Sequence, residues 1–269
     1  MNQPRPVPDD AWFAGKVAVV TGASRGIGRA TVERLARRGA SIVLNGRDVE
    51  SLELAVKELV ESGAEAIAVS GSINNPDLPQ RLVDAAVARF GRVDFVVNNA
   101  ATTASYGPLL EVDRDSFVKT MVANTWPALA LVQSAVRAGM RNGSVVNIST
   151  TGAQRVHSPT GPYTASKAAL ENITATLARE LGPRGITVNA VAPGLVRTEL
   201  ARVLWEGERE QREIDLVPMQ RLGEPDDIAA AVEFLLGADA RWLNGSVIRV
   251  DGGRFHVGGE PADLIGVYS

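Results

Sequence analysis

Cysteine is absent from this chain. That excludes disulfides, thiolate-bound zinc, iron–sulfur clusters and a cysteine nucleophile, and it agrees with a reducing compartment. Histidine is scarce: His157 and His256 are the two in 269 residues, so a metal site built on imidazoles is not expected. Basic charge is in no surplus, with 28 Lys plus Arg against 31 Asp plus Glu and a formal charge of −3. Without a basic excess there is little to neutralise a phosphate backbone, and no nucleic-acid partner is expected. Nowhere do about 18 uncharged apolar residues follow one another, so no membrane partner is expected either. The first fourteen residues, with Pro4, Pro6 and Pro8, read as a loose arm without the apolar stretch of a signal peptide. Together these absences predict a cytoplasmic protein.

What is present is ordinary globular material, 45% apolar and 22% charged, in a chain long enough to bury a sizeable core. Short β-branched runs at 17–20, 42–44, 66–69, 95–97, 145–148, 187–191 and 247–250 alternate with longer helical patterns. In the first of these helices Val32, Leu35 and Ala36 recur at i, i+3, i+4 beside Arg34, Arg37 and Arg38. The strand runs are apolar on both faces, as a parallel sheet covered by helices on both sides requires. The expected fold is α/β: a single-domain, doubly wound Rossmann fold with a seven-stranded parallel sheet. The domain is expected over 15–253, with an arm at 1–14 and a tail at 254–269.

After the first strand comes Thr21 and then Gly22-Ala23-Ser24-Arg25-Gly26-Ile27-Gly28. Glycines at a strand-to-helix turn let the backbone approach a pyrophosphate at the positive end of the helix dipole. The spacing is G-x-x-x-G-x-G, not the commoner G-x-G-x-x-G. The end of the second strand then bears on the cofactor. An acid there binds the ribose 2′-hydroxyl of NAD, whereas an arginine accepts the 2′-phosphate of NADP. The segment is Asn45-Gly46-Arg47-Asp48. Arg47, with Arg25 from the glycine loop, favours NADP(H). Asp48 is the rival, twenty residues past Gly28, although it equally suits the cap of a helix starting near Val49.

Tyr163 and Lys167 stand four apart, on one face of a helix. A phenol ionises near pH 10, and a nearby ammonium brings it toward a useful acid–base range. Taken with Asn98-Asn99-Ala100, Asn124, Pro193-Gly194 and Val250-Asp251-Gly252-Gly253, this pair completes a pattern that resembles the short-chain dehydrogenase/reductase family. More narrowly, it resembles the 3-oxoacyl-carrier-protein reductases. The resemblance implies an NADP(H)-dependent oxidoreductase, a ketoreductase interconverting a ketone and a secondary alcohol. It implies that Tyr163 passes the proton, that Lys167 holds the nicotinamide ribose, and that Asn124 holds a water joining Lys167 to solvent. Pro127, which has no N–H for the Ala123 carbonyl, should disturb the helix there. By the same resemblance Asn99 lies along the cofactor, as do Pro193, Val196 and Thr198, and the stretch about 199–217 forms a substrate lid.

The sequence departs from the family in places. Counting thirteen back from Tyr163, the catalytic serine becomes Thr150; counting from Gly152 selects Ser149. The two point to opposite faces of a strand, and the strand and tyrosine spacings together prefer Thr150. Near the adenine, Ser72 and Ile73 replace the usual acid. Ala101 replaces a glycine and requires a backbone without positive φ. His157 lies in a segment that often lines the substrate pocket, and Trp205 either caps the substrate or fills a groove between helices. Arg141 and Arg184 match positions that meet an acidic carrier, so the small-molecule carbonyl or alcohol substrate is either carrier-bound or free. A homotetramer is implied, with the stripes Leu129, Val132, Val136 and Leu170, Ile173, Leu177 offered as its interface. An NAD-dependent alcohol dehydrogenase and a non-catalytic nucleotide sensor are the alternative readings.

Overall fold

The computed structural model describes residues 11–104, 106–155 and 158–257. Seven strands, β1 (Val17–Val20), β2 (Ser41–Gly46), β3 (Ala66–Ser70), β4 (Phe95–Asn98), β5 (Ser144–Ile148), β6 (Thr187–Pro193) and β7 (Val247–Val250), form one sheet. Their order is β3-β2-β1-β4-β5-β6-β7, and every pairing is parallel. The long helices are α1 (Gly26–Arg37), α2 (Val49–Glu61), α3 (Leu78–Phe90), α4 (Arg114–Arg137) and α5 (Gly161–Leu181). They are followed by α6 (Arg202–Trp205), α7 (Arg209–Asp215), α8 (Pro225–Leu236) and α9 (Arg254–Val257). Strand order reverses between β1 and β4. In such sheets the crevice at the carboxyl ends beside the reversal is where ligands bind.

Strand alternation builds two cores. Ala18 and Val20 of β1 face α1, α2 and α8 through Leu35, Leu52 and Ile228. Val17 and Val19 face α3, α4 and α5 through Leu82, Val132 and Leu177. The central strands are buried on both faces, but β3 and β7 are partly exposed, because an edge strand has a neighbour on one side alone.

The apolar stripes expected to join subunits are used inside one subunit. Val132 and Leu177 belong to the second core, with Leu129, Val136 and Ile173 packed against it, and Leu170 is buried. The apolar side chains that α4 leaves exposed are Phe117, Val118, Val122 and Trp126. Pro127 does not break α4, which runs on for ten residues beyond it. His157, most of the amino-terminal arm and the tail from 258 lie outside the described residues. Among the described residues no helix is long and apolar enough to cross a membrane.

Candidate active site

The glycine loop is shaped by backbone that side chains resist. Gly22 and Gly26 have φ of 63° and 58°, the left-handed region open to glycine. A Cβ on Gly28 would run into the Gly22 carbonyl oxygen and come within 2.6 Å of Asn99 Nδ2. Asn99 is what holds the turn. Its Nδ2 donates to the carbonyls of Thr21 (2.9 Å) and Gly22 (3.0 Å), while its backbone N–H donates to Thr21 Oγ1 (3.0 Å). The Ala23 N–H donates to Asn45 O at 2.7 Å, tying the loop to β2. Ile27 packs against the first core as α1 sets out from Gly26, its amino terminus beside the loop.

At the end of β2, Gly46 makes room for the loop. A Cβ there would stand 3.1 Å from Ser24 Oγ. Asp48 caps α2, accepting from the Ser51 N–H at 2.7 Å. The Ser51 hydrogen bonds hold its carboxyl below the usual range, and Arg25 adds a favourable charge. The sequence left Asp48 open between ribose ligand and helix cap; in the structure it is a cap. Arg47 is exposed beside it. On the far side of the cleft, Ser72 Oγ accepts from the Asn74 N–H, and Ile73 is half-buried against the second core. Ala101 is not among the positive-φ residues, as a side chain there requires.

The loop after β6 comes back toward the glycines. Pro193 ends the strand, and Gly194 is pressed so closely on Asp251 that a Cβ would lie 2.8 Å from its Cβ. Val196 bridges to Gly223, and the methyl of Thr198 would stand 3.4 Å from a Cβ on Gly26. The β1 and β6 loops therefore meet over one cleft.

The acid–base pair sits on α5, which opens on Gly161-Pro162, a start that suits proline because its missing N–H has no helical partner there. Lys167 is buried, and its Nζ donates to the Ile148 carbonyl at 2.6 Å and lies 5.7 Å from the centre of the Tyr163 ring. Loss of hydration lowers the Lys167 ammonium to about 8. Burial raises the Tyr163 phenol, and the neighbouring Tyr106 raises it further.

The Asn124 side chain is engaged by protein groups. It accepts from Thr102 N–H and donates to Thr102 O and Ser166 Oγ, each at 2.9 Å. Beside it lies a cavity of about 20 Å³ lined by Lys167, Asn124, Pro127 and Thr21, room for about one water. Pro127 has no N–H to donate to the Ala123 carbonyl, and both residues line this cavity.

The two candidate hydroxyls part company. Ser149 is buried and its Oγ donates to Glu171 on α5 at 2.6 Å, where Gln154 also donates. Thr150 is half-buried, and its Oγ1 accepts from the Gly152 N–H, leaving its own O–H to donate. Glu171 was not singled out from sequence; a lone acid in a helical pattern gives no signal until the fold turns it toward β5. Tyr106 was missed for the same reason. It lies in the β4–α4 loop, and its hydroxyl donates to Leu200 O, 94 residues on, at 3.3 Å.

The expected lid consists of α6 and α7. The Arg197 guanidinium stands over the Trp205 ring, 5.4 Å from its centre, and the Trp205 Nε1 is buried with no hydrogen-bond partner among the described residues. Arg254 pairs with Glu213 of α7 at 2.5 Å. Arg141 and Arg184 stand before β5 and β6, at the amino ends of those strands, whereas Tyr163 follows the carboxyl end of β5. Within one chain the structure does not bring them to the acid–base pair.

Comparison with known proteins gives a consistent result. A family described as Enoyl-(Acyl carrier protein) reductase matches residues 22–254. The human protein named Dehydrogenase/reductase SDR family member 4 is 38% identical over 245 residues, covering 90% of this chain and 88% of the relative. L-rhamnose 1-dehydrogenase (NAD(P)(+)) of Azotobacter vinelandii is 39% identical over 254 residues, covering 89% of this chain and 96% of the relative. A blue fluorescent protein from a metagenomic library, solved in complex with NADPH, is 38% identical with a TM-score of 0.84, covering 90% of this chain and 99% of that one.

Proposed function

The chain belongs to the short-chain dehydrogenase/reductase family, oxidoreductases of CH–OH and C=O groups, and on that premise we propose that it interconverts a ketone and a secondary alcohol with NADP(H). The observation that carries this reading is the pairing of Tyr163 with buried Lys167 at the carboxyl end of β5, beside the glycine cradle. That cradle fits a dinucleotide, since Gly22 and Gly26 give the loop its left-handed backbone and bring it to the amino terminus of α1. Gly22 to Gly28 would take the pyrophosphate, with Ser72 and Ile73 along the adenine and Pro193, Val196 and Thr198 around the nicotinamide. When bound, the nicotinamide supplies or accepts the hydride.

The residues do the rest. Tyr163, kept protonated by its buried setting, gives its proton to the carbonyl oxygen during reduction and takes one back from the alcohol during oxidation. Lys167 holds the ribose and places positive charge beside the phenol. The Thr150 hydroxyl donates to the same carbonyl oxygen and fixes its position. Asn124 positions α5 through Ser166, and the small cavity beside Lys167 has room for a water that would take up its proton.

For the 2′-phosphate the reading rests on Arg25 and Arg47 around Ser24, with the nearby acid engaged as a helix cap. Charge-assisted hydrogen bonds contribute about 1.5–3 kcal/mol each, so one such contact gives about tenfold selectivity or more. The test is NADPH oxidation with a panel of simple ketones and 3-oxoacyl thioesters. Turnover is expected, at least about tenfold better than with NADH, and Arg47→Ala should weaken NADPH far more than NADH. Equal efficiency with NADH would overturn the cofactor assignment. Cofactor binding without turnover of any carbonyl compound or alcohol would mark a sensor instead of an enzyme.

The same reading extends to a homotetramer in the cytoplasm. Exposed Phe117, Val118, Val122 and Trp126 on α4, and Trp242 beside the edge strand β7, suit two-fold contacts in which each patch meets its own copy. Light scattering should give a mass near four chains. A fully active monomer at every concentration would refute the assembly.

A further inference from the structure

We propose that Tyr106 is the specificity-determining bolt of the substrate entrance, joining the β4–α4 loop to the lid and admitting narrow ketones ahead of broad ones. The inference rests on the reading of Tyr163 as the acid–base residue and adds what guards it. Two sets of contacts place Tyr106. On one side its loop is pinned to the start of α5: the Gly107 N–H donates to Pro159 O at 3.0 Å. Leu109 packs so tightly on Gly161 that a Cβ there would lie 2.9 Å from its Cδ1. Both anchors lie within four residues of Tyr163. On the other side the Tyr106 hydroxyl donates to Leu200 O, at the beginning of the lid. Burial first, and then the nearby Tyr106, opposes ionisation of the Tyr163 phenol.

Further along the chain the lid has charged attachments: Arg254 holds Glu213 of α7, and Arg197 holds Glu210. The Tyr106–Leu200 bond fastens the beginning of the lid to the loop pinned beside the start of α5, and it is a half-exposed, neutral hydrogen bond of 3.3 Å. Such a bond is weak enough to open for each substrate. The ring stays behind in the opening and sets its width. A substrate entering beside Tyr163 meets that ring first, so the group on one side of its carbonyl has to be slim.

Two measurements on the full-length protein test this. Trypsin cleavage after Arg202, Arg209 or Arg212, followed by mass spectrometry, reads the lid without turnover. Tyr106→Phe, which loses the bond and keeps the ring, should be cut about two- to tenfold faster than the unaltered protein. An unchanged rate would overturn the bolt. With NADPH, the ratio of kcat/KM for propiophenone to that for 2-pentanone should rise about tenfold or more in Tyr106→Ala, with Tyr106→Phe between the two. An unchanged ratio in an active Tyr106→Ala enzyme would overturn the role in selectivity. If the unaltered protein reduces no ketone, the reading of Tyr163 fails, while the trypsin result still decides the bolt.

Discussion

Tyr163→Phe is expected to lower ketone reduction by about 10²- to 10⁴-fold while NADPH still binds, because a positioned proton donor contributes about that much. The substitution removes one oxygen and leaves the ring in its place beside Lys167. Lys167→Ala should differ in kind. Lys167 is buried and bonded to the Ile148 carbonyl, so its loss should damage both turnover and cofactor affinity. The pH dependence separates the two directions. Burial raises the Tyr163 phenol, so reduction keeps its acid across the neutral range, whereas oxidation needs the ionised form and should speed up as pH rises. Stopped-flow turnover beside a fluorescence titration of NADPH gives both quantities. Full activity in Tyr163→Phe would overturn the mechanism.

The second large effect is a contrast between neighbours. Thr150→Ala should cost about 10²- to 10³-fold in kcat, the usual loss when one donor to a developing oxyanion is removed. Ser149→Ala should leave kcat nearly unchanged. It should instead cost stability, because Glu171 would lose a partner in a partly buried place. Thermal unfolding measured beside kcat tells these apart. A dead Ser149→Ala enzyme with a healthy Thr150→Ala enzyme would reverse the assignment.

These contrasts show how far the sequence could be read. Continuous β-branched runs placed all seven strands and the 3.6-residue periodicity between them the long helices, since each pattern reflects a burial that the sheet enforces locally. The glycine turn was legible because only glycine tolerates the backbone of Gly22 and Gly26. The apolar stripes of α4 and α5 were assigned to a subunit interface because periodicity says that a face is buried, not by what. Asp48 could be read as ligand or cap until the Ser51 N–H was placed. The hydroxyl choice was half-legible: alternation separated Ser149 from Thr150, but the partner that occupies Ser149 is Glu171, twenty-two residues away. Tyr106 and Leu200 meet by tertiary folding alone, and no spacing rule reaches across ninety-four residues.

Asn99 has a consequence for rearranging this chain. The glycine loop comes before it in sequence, and the acid–base pair and the loop after β6 come after it. Asn99 stitches the two sides together almost entirely through main-chain atoms: the carbonyls of Thr21 and Gly22 receive its amide. Backbone carbonyls are the same whatever side chains surround them. A crossover between β3 and β4, joining this amino-terminal half to the carboxyl-terminal half of a relative that keeps an asparagine here, would preserve the seam. The pairing of β1 with β4 and the two shared cores cross the same boundary, so the donor of the second half would have to match those contacts as well as the asparagine.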